Sequence, residues 1–156
     1  MASNYLEIRN HIKTILTTLG CGKVHGYARL ILDWSKYIKA FQDVDGKIRG
    51  WEISRKTIRE HQDGAFFRYS LFILRGHLGV QDAVASDEEW QVLIDDVCEA
   101  FRQPTPPANA IWWYGNGDNP KESPAQVVDN DPRVFGNVLC HYAEIHLTVT
   151  ERIVPT

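Results

Sequence analysis

Cysteine and histidine side chains have the most evident chemistry in this sequence. Cys21 and His25 are separated by three residues, and Cys140, His141 and His146 lie close together near the end of the chain. Thiolates and imidazoles at such spacings can bind zinc, and a thiol next to a histidine can act as a nucleophile. On a strand, however, Cys140 and His141 point to opposite faces, as do His141 and His146, so they cannot easily share one ion. We therefore predict no metal site, no cofactor and no catalytic residue.

No motif for a common type of catalysis or phosphate binding is present, since G-x-x-x-x-G-K, G-x-S-x-G and H-E-x-x-H are all missing. The densest group of acids, from Asp87 to Glu99, falls on the polar face of a predicted helix. Carboxylates in such a position are normally solvated. These observations predict that the chain is not an enzyme.

A run of basic residues favours binding instead of catalysis. It lies in one predicted strand and consists of Lys47, Arg49, Arg55, Lys56 and Arg59. Charged side chains commonly protect the exposed edge of a sheet from pairing with other chains. The same positive patch could instead contact another subunit, and the sequence leaves both interpretations open.

An aromatic cluster is the second candidate surface. Trp112, Trp113 and Tyr114 follow one another inside a segment, Gln103 to Arg133, that holds six of the seven prolines of the chain. This segment is predicted to be a long loop, with at most a short strand at the aromatic residues, and connections of this length often carry function. Aromatic residues are enriched at interfaces, but these three could equally fold over the sheet as part of the core.

The overall composition is that of an ordinary globular domain. Of the 156 residues, 44% are hydrophobic and 24% are charged, and the net charge is -3. A slight negative charge argues against a dedicated nucleic-acid or membrane binder, and no apolar run approaches the roughly 20 residues that span a membrane. The three cysteines are widely spaced and do not predict a disulfide framework. We therefore expect a single domain over residues 1–156, with no membrane partner and no specific binding of nucleic acid.

Three amphipathic helices are expected to position these surfaces. Residues 4–19 carry apolar side chains in one stripe at helical spacing, and Gly20 can end that helix. A shorter apolar stripe, from Trp34 to Phe41, predicts a second helix that ends near Asp43. Ser86 begins a capping box, which predicts a third helix that runs to residue 102.

Long strands are expected to form the frame of the sheet. Val138 to Val149 alternates between apolar and polar residues, as a half-buried strand does. Lys47 to Ile58 and Ala65 to Leu74 flank a turn that contains Gly64, which predicts a hairpin. The second of these strands is apolar on both sides, so we expect it to lie inside the sheet.

This order of elements resembles the tail terminator (tail completion, or minor tail) proteins of long-tailed bacteriophages and prophages. The likeness spans most of the chain, apart from the segment Gln103 to Arg133. The features that carry it are the N-terminal amphipathic helix, the strand that opens with Asp45-Gly46-Lys47-Ile48-Arg49-Gly50-Trp51-Glu52-Ile53, the helix from Ser86 to Arg102 and the closing strand from Val138 to Glu151.

The resemblance implies an α+β fold with a mainly antiparallel sheet of about four strands, flanked by two or three helices. It also implies a structural protein, without catalysis or cofactor, that assembles with itself into a ring, typically a hexamer. Such a ring caps the tail tube and provides the surface that joins the head. The expected partners are therefore the tail tube protein and a head-tail connector protein. The expected location is the virion tail, after synthesis in the bacterial cytoplasm.

Both candidate surfaces supply the residues that we predict to contact other subunits or the tail. These residues are Arg49, Trp51 and Arg55 in the basic strand, and Trp112, Trp113 and Tyr114 in the aromatic cluster. The alternative functions are another head-tail connector component, then a small cytoplasmic adaptor or binding protein, and last an enzyme.

Overall fold

The computed structural model describes residues 4–29, 34–43, 46–80, 85–102, 111–135 and 137–154. Three helices and seven strands lie in these parts of the chain. In order they are α1 (Tyr5–Thr18), β1 (Lys23–His25), α2 (Trp34–Phe41), β2 (Arg49–Asp63), β3 (Ala65–Gly79), α3 (Ser86–Arg102), β4 (Trp112–Tyr114), β5 (Ala125–Asp129), β6 (Arg133–Phe135) and β7 (Val138–Ile153).

All seven strands belong to one sheet. Its order is β1-β2-β3-β7, and β4, β5 and β6 pair one after another with the remaining edge of β7. The pairing of β1 with β2 is parallel, whereas the other named pairings are antiparallel. The predicted sheet, mainly antiparallel with about four strands, is therefore wrong: the sheet is mixed and has seven strands.

Strand length explains this error. The strands that the sequence did not predict, or predicted only as an option, have three to five residues. So few residues cannot show a two-residue period clearly, and glycine or proline neighbours suggest a loop. Within Gln103 to Arg133, β4 confirms the optional short strand at the aromatic residues, but β5 and the start of β6 contradict the prediction that the rest is loop. Residues 103–110 lie outside the described parts of the chain.

The predicted hairpin and the predicted central strand are confirmed. β2 and β3 are antiparallel neighbours, and β3 lies between β2 and β7. Gly64 alone joins the two strands, with a φ angle of 67° that glycine adopts without strain. Each strand has 15 residues and is longer than predicted, since β2 continues past Ile58 to Asp63 and β3 continues past Leu74 to Gly79.

The main core lies between the sheet and two helices, and we call this side of the sheet the helix face. The predicted helices α1 and α3 are confirmed, and their apolar stripes face the sheet. Gly20 ends α1 as predicted, with φ at 77°. The buried helix residues are Ile8, Ile12, Leu16, Trp90, Leu93, Ile94, Val97 and Phe101, and the strand residues that meet them include Trp51, Ile53, Phe72, Leu74, Ala143, Ile145, Leu147 and Val149.

A smaller core covers one end of the opposite side, the second face. α2 is confirmed at Trp34–Phe41. Phe41 packs there with Ile48, Phe135 and Cys140. Gly50 is required at this contact, because a Cβ atom on it would lie 2.8 Å from the Phe41 ring. The rest of the second face carries mostly polar side chains.

Candidate interaction surfaces

The predicted interface residue Trp51 is fully buried. Its ring stacks on that of Trp90 in α3, with 5.7 Å between the ring centroids. On the other side, Gly76 leaves room for it, since a Cβ atom at Gly76 would lie 2.3 Å from the Trp51 ring. Its partner role stays a prediction, but the side chain of Trp51 is part of the core and not of the surface.

The aromatic cluster divides between core and surface. β4 places alternate side chains on opposite faces, so Trp112 and Tyr114 are buried on the helix face while Trp113 is exposed on the second face. The Trp112 indole N–H donates to Glu7 over 3.3 Å, and the Tyr114 hydroxyl lies 2.6 Å from Nδ1 of His11. Trp112 and Tyr114 thus belong to the core, as one interpretation of the cluster predicted. Trp113 is the residue of the cluster that remains available to a partner, as the other interpretation predicted.

Arg49 and Arg55 connect β2 to the helices. Arg49 forms an ion pair of 3.1 Å with Glu89 and donates to the carbonyl oxygen of Gly20. The guanidinium of Arg55 lies over the Tyr5 ring, 4.5 Å from its centroid. Both side chains remain partly exposed. They stabilise the packing of α1 and α3, and their contact with a partner stays a prediction.

The far half of the β2–β3 hairpin extends beyond the helices, and we call residues 56–71 the arm. Every residue of β2 from Lys56 to Asp63 is exposed. On the helix face of the arm, Ile58 is 52% exposed and Phe66 is 41% exposed. Fifteen residues per strand give a length of about 50 Å. The β3 half of the arm stays paired with β7 as far as Ile153, and Ile58 and Phe66 are apolar side chains that the described residues leave exposed.

A second exposed apolar group lies at the opposite end of the long strands, and we call it the valine patch. It consists of Val134 and Leu139 on the helix face. Val134 and Leu139 are directly paired across β6 and β7, and they are 70% and 50% exposed. β7 runs from this patch to Ile153, which pairs with Phe66 in the arm. The two apolar surfaces are therefore roughly 45 Å apart along β7.

Sequence reasoning missed both of these surfaces. Val134 directly follows the segment that was predicted to be a loop, and Leu139 stands in the predicted strand Val138 to Val149, where its spacing gave no sign that it is exposed. Ile58 was the last residue of a predicted strand, and nothing in its spacing indicated that the strand continues past the helices.

Charged side chains form a network in the middle of the second face. Arg75 lies 3.1 Å from Glu144 and 3.8 Å from Glu52, and His146 lies 2.9 Å from Glu144. Burial alone would raise the pKa of Glu144, but the hydrogen bonds from His146 and Arg75 outweigh it and lower that pKa. The network keeps Glu144 ionised and hydrogen-bonded to Arg75 and His146, and it stabilises this face. The Glu144 carboxylate is therefore not free to act as a nucleophile or a base.

His77 is a buried histidine beside this network. The rings of Phe41, Phe135 and Tyr142 surround it, with the Phe135 centroid 4.5 Å away. Its Nδ1 atom is buried without a hydrogen-bond partner. Burial, together with the positive charges of Arg133 and Arg75, lowers the pKa of His77 to about 4.

We expect His77 to make the fold less stable in acid. Because its pKa is lower in the folded chain than the ordinary value of 6.5, the unfolded chain binds more protons as the pH falls from 6.5 towards 4. Stability present above pH 6.5 is therefore lost, by roughly 2 kcal/mol at pH 5.

Urea unfolding of the wild type and of His77→Phe at pH 7 and pH 5 measures this difference. The variant should lose less stability than the wild type, whereas His61→Phe, at an exposed position of the arm, should behave as the wild type. An equal loss in wild type and His77→Phe would contradict the expectation.

The cysteines and the remaining histidines do not form a reactive site. Burial raises the pKa of Cys21 to about 12 and that of Cys140 to about 11, so both thiols stay protonated at neutral pH. Ser86 Oγ lies 2.9 Å from Nε2 of His141, but both residues are buried, so a substrate has no approach to the pair. Ser86 is not the N-cap that the capping box predicted, because it is the first residue of α3 and its hydroxyl meets His141 on β7. Within the described parts of the chain, no group of three or more metal-binding side chains comes together.

No protein-family model matches the sequence, and no curated protein matches it.

None of the helices in the described residues is both long enough and apolar enough to cross a membrane.

Proposed function

We propose that this chain is a structural tail protein of a long-tailed bacteriophage or prophage. In this role it is a tail terminator: six copies form a ring that caps the tail tube and provides the head-tail joining surface. Its partners are further copies of itself, the tail tube protein and a head-tail connector protein. It acts in the virion tail after synthesis in the bacterial cytoplasm, and it catalyses no reaction.

The observation that carries this proposal is the pair of apolar surfaces at opposite ends of the sheet. Subunits of a ring meet through two different surfaces of the same chain, because each subunit contacts one neighbour on either side. The arm presents Ile58 and Phe66, and the valine patch presents Val134 and Leu139. Joining the arm of one copy to the valine patch of the next would bury both groups, and the contact repeats until the ring closes.

The order of elements also supports the proposal. The chain has, in this order, the N-terminal helix, the long hairpin, α3 and the closing strand β7. These are the elements on which the resemblance to tail terminators is based. The formal net charge of -3 suits a ring through which DNA passes, because an acidic lumen does not hold phosphates. Trp113, Arg49 and Arg55 are the surface residues of the predicted interface that remain for contacts with the tail or with other subunits.

Deletion of the gene from its phage tests the proposal. We expect tails of abnormal length that do not join heads, and we expect the wild-type gene supplied in trans to restore both. Normal tail length with normal head joining would contradict the proposal. Normal tails that fail to join heads would assign the chain to a different head-tail connector component.

A further inference from the structure

Four side chains form a row across the second face near the end of the arm. Arg59 on β2 pairs with Tyr69 on β3, Tyr69 pairs with Thr150 on β7, and Thr150 pairs with Trp113 on β4. Neighbouring strands are about 4.8 Å apart, so the backbones that carry Tyr69 and Trp113 stand roughly 10 Å apart. Thr150 between them is short and therefore leaves a gap between two large aromatic side chains.

A turn closes one side of this gap. Thr150 Oγ1 accepts a hydrogen bond of 3.1 Å from the Gly117 amide and donates one of 2.7 Å to the Gly115 carbonyl oxygen. Gly117 is suited to this position because a Cβ atom there would lie 2.8 Å from the Tyr69 ring. The result is a cleft of about 230 Å³. Its lining residues are His61, Asp63, Phe67, Tyr69, Trp113, Gly117, Asp118 and Thr150.

The lining of the cleft combines aromatic rings with carboxylates. The faces of aromatic rings attract cations, and a carboxylate beside them adds an ion pair. One guanidinium of the chain is already held in this way at the margin of the cleft. Arg59 lies over Tyr69, 5.1 Å from its ring centroid, and forms an ion pair with Asp118.

Asp63 supplies the second carboxylate of the cleft. No ion pair of Asp63 is found among the described residues, and the nearby Arg59 pairs with Asp118. Trp113, the exposed residue of the aromatic cluster, forms another wall. Arg152 follows on the same face of β7 but is not one of the lining residues. The cleft therefore offers an aromatic wall and a carboxylate that a second cation can use.

We propose that this cleft binds an arginine side chain that a partner protein presents. A guanidinium is flat, so it can stack on Trp113 while two of its N–H groups donate to Asp63. A lysine ammonium can make the ion pair but cannot stack, and it carries a tightly held hydration shell. The carboxylate of Asp63 disfavours the phosphates of a nucleic acid, so a base stacked on Trp113 is not the ligand that we propose. The inference goes beyond the proposed function and holds whether or not the chain forms a ring.

Peptide binding to the full chain tests this inference. The probe is acetyl-Gly-Arg-Gly-amide, and its matched control is the same peptide with citrulline, which keeps the planar shape but has no charge. The readout is the NMR signal of the Trp113 indole N–H, assigned by its loss in Trp113→Phe. We expect the arginine peptide to shift this signal with a dissociation constant in the millimolar range, and the shift to weaken as salt is added.

Substitutions in the cleft sharpen the test. We expect Asp63→Asn to weaken binding of the arginine peptide by about fivefold, because the ion pair is lost. Trp113→Leu should weaken it by a similar factor, about fivefold, followed through the backbone amide of Thr150. Asp131→Asn removes an exposed carboxylate outside the cleft and should leave the affinity unchanged.

Four results would overturn the inference. Two are equal binding of the arginine and citrulline peptides, and equal binding of acetyl-Gly-Lys-Gly-amide. The other two are an affinity that Asp63→Asn does not change, and a shift of the Trp113 signal by a thymidine oligonucleotide. A change in the oligomeric state of Asp63→Asn, measured by analytical ultracentrifugation, would overturn the choice of occupant and assign the arginine to a second copy of this chain.

Discussion

Replacing Gly76 with alanine should destabilise the protein by about 3 kcal/mol, the upper end of the range for inserting a methyl group into a packed core. A Cβ atom at this position would lie 2.3 Å from the Trp51 ring. That ring cannot move away easily, because it is fully buried and stacked on Trp90. Urea unfolding at neutral pH measures the change in free energy.

A double-mutant cycle shows whether the Trp51 ring is the cause. Trp51→Ala alone should cost about 3 to 5 kcal/mol, because a large buried side chain is lost. In that background Gly76→Ala should cost much less than in the wild type, since the obstructing ring is gone. Gly79→Ala is the matched control on the same strand, because a Cβ atom there would be 3.8 Å from its nearest neighbour. Additive effects of Gly76→Ala and Trp51→Ala would contradict the packing described for this pair.

Charged substitutions in the arm or in the valine patch should prevent ring assembly. In Ile58→Asp or Val134→Asp, an aspartate enters a contact that we expect to be apolar, and a buried unpaired charge is strongly unfavourable. We expect each variant to lower complementation of a phage that lacks the gene by at least about tenfold, the effect of a 1.4 kcal/mol loss at one contact. Plaque titre and electron microscopy of lysates measure the effect.

Two controls distinguish assembly from folding. Val92 on α3 is 60% exposed and lies outside both surfaces, so Val92→Asp should complement normally. Thermal unfolding should show all three variants folded, because the substituted side chains are on the surface.

The double variant Ile58→Asp with Val134→Lys should recover part of the lost activity, since the two surfaces meet in the ring. Normal complementation by Ile58→Asp and Val134→Asp would contradict the predicted contact.

The helices and long strands could be predicted because each repeats its pattern over several turns or residue pairs. α1 and α3 carry apolar stripes of more than three turns, and β7 alternates over most of its 16 residues. β1 and β6 have three residues each. Their place in the sheet depends on neighbouring strands that are distant in the sequence, so local patterning could not reveal it. The same limit explains why the parallel pairing of β1 with β2 was missed.

The candidate surfaces depended even more on tertiary structure. Adjacent aromatic residues in β4 were seen in the sequence, but only the pairing of β4 with β7 decides that Trp112 and Tyr114 face the helices and Trp113 does not. Trp51 looked like an interface residue because it stands among basic residues, yet it lies opposite Gly76, which admits its ring to the core. Ile58 is exposed because of where the helices end. The residue pattern within β2 cannot predict that position.

Ring formation at the end of the tail is tested most directly by cryo-electron microscopy of intact tails from the phage that encodes this chain. We expect a six-fold ring of density at the head-proximal end into which the chain fits, with the arm of each subunit packed on the valine patch of the next. A tail end without density for this chain would contradict that result, as would a ring in which the arm and the valine patch of neighbouring subunits do not meet.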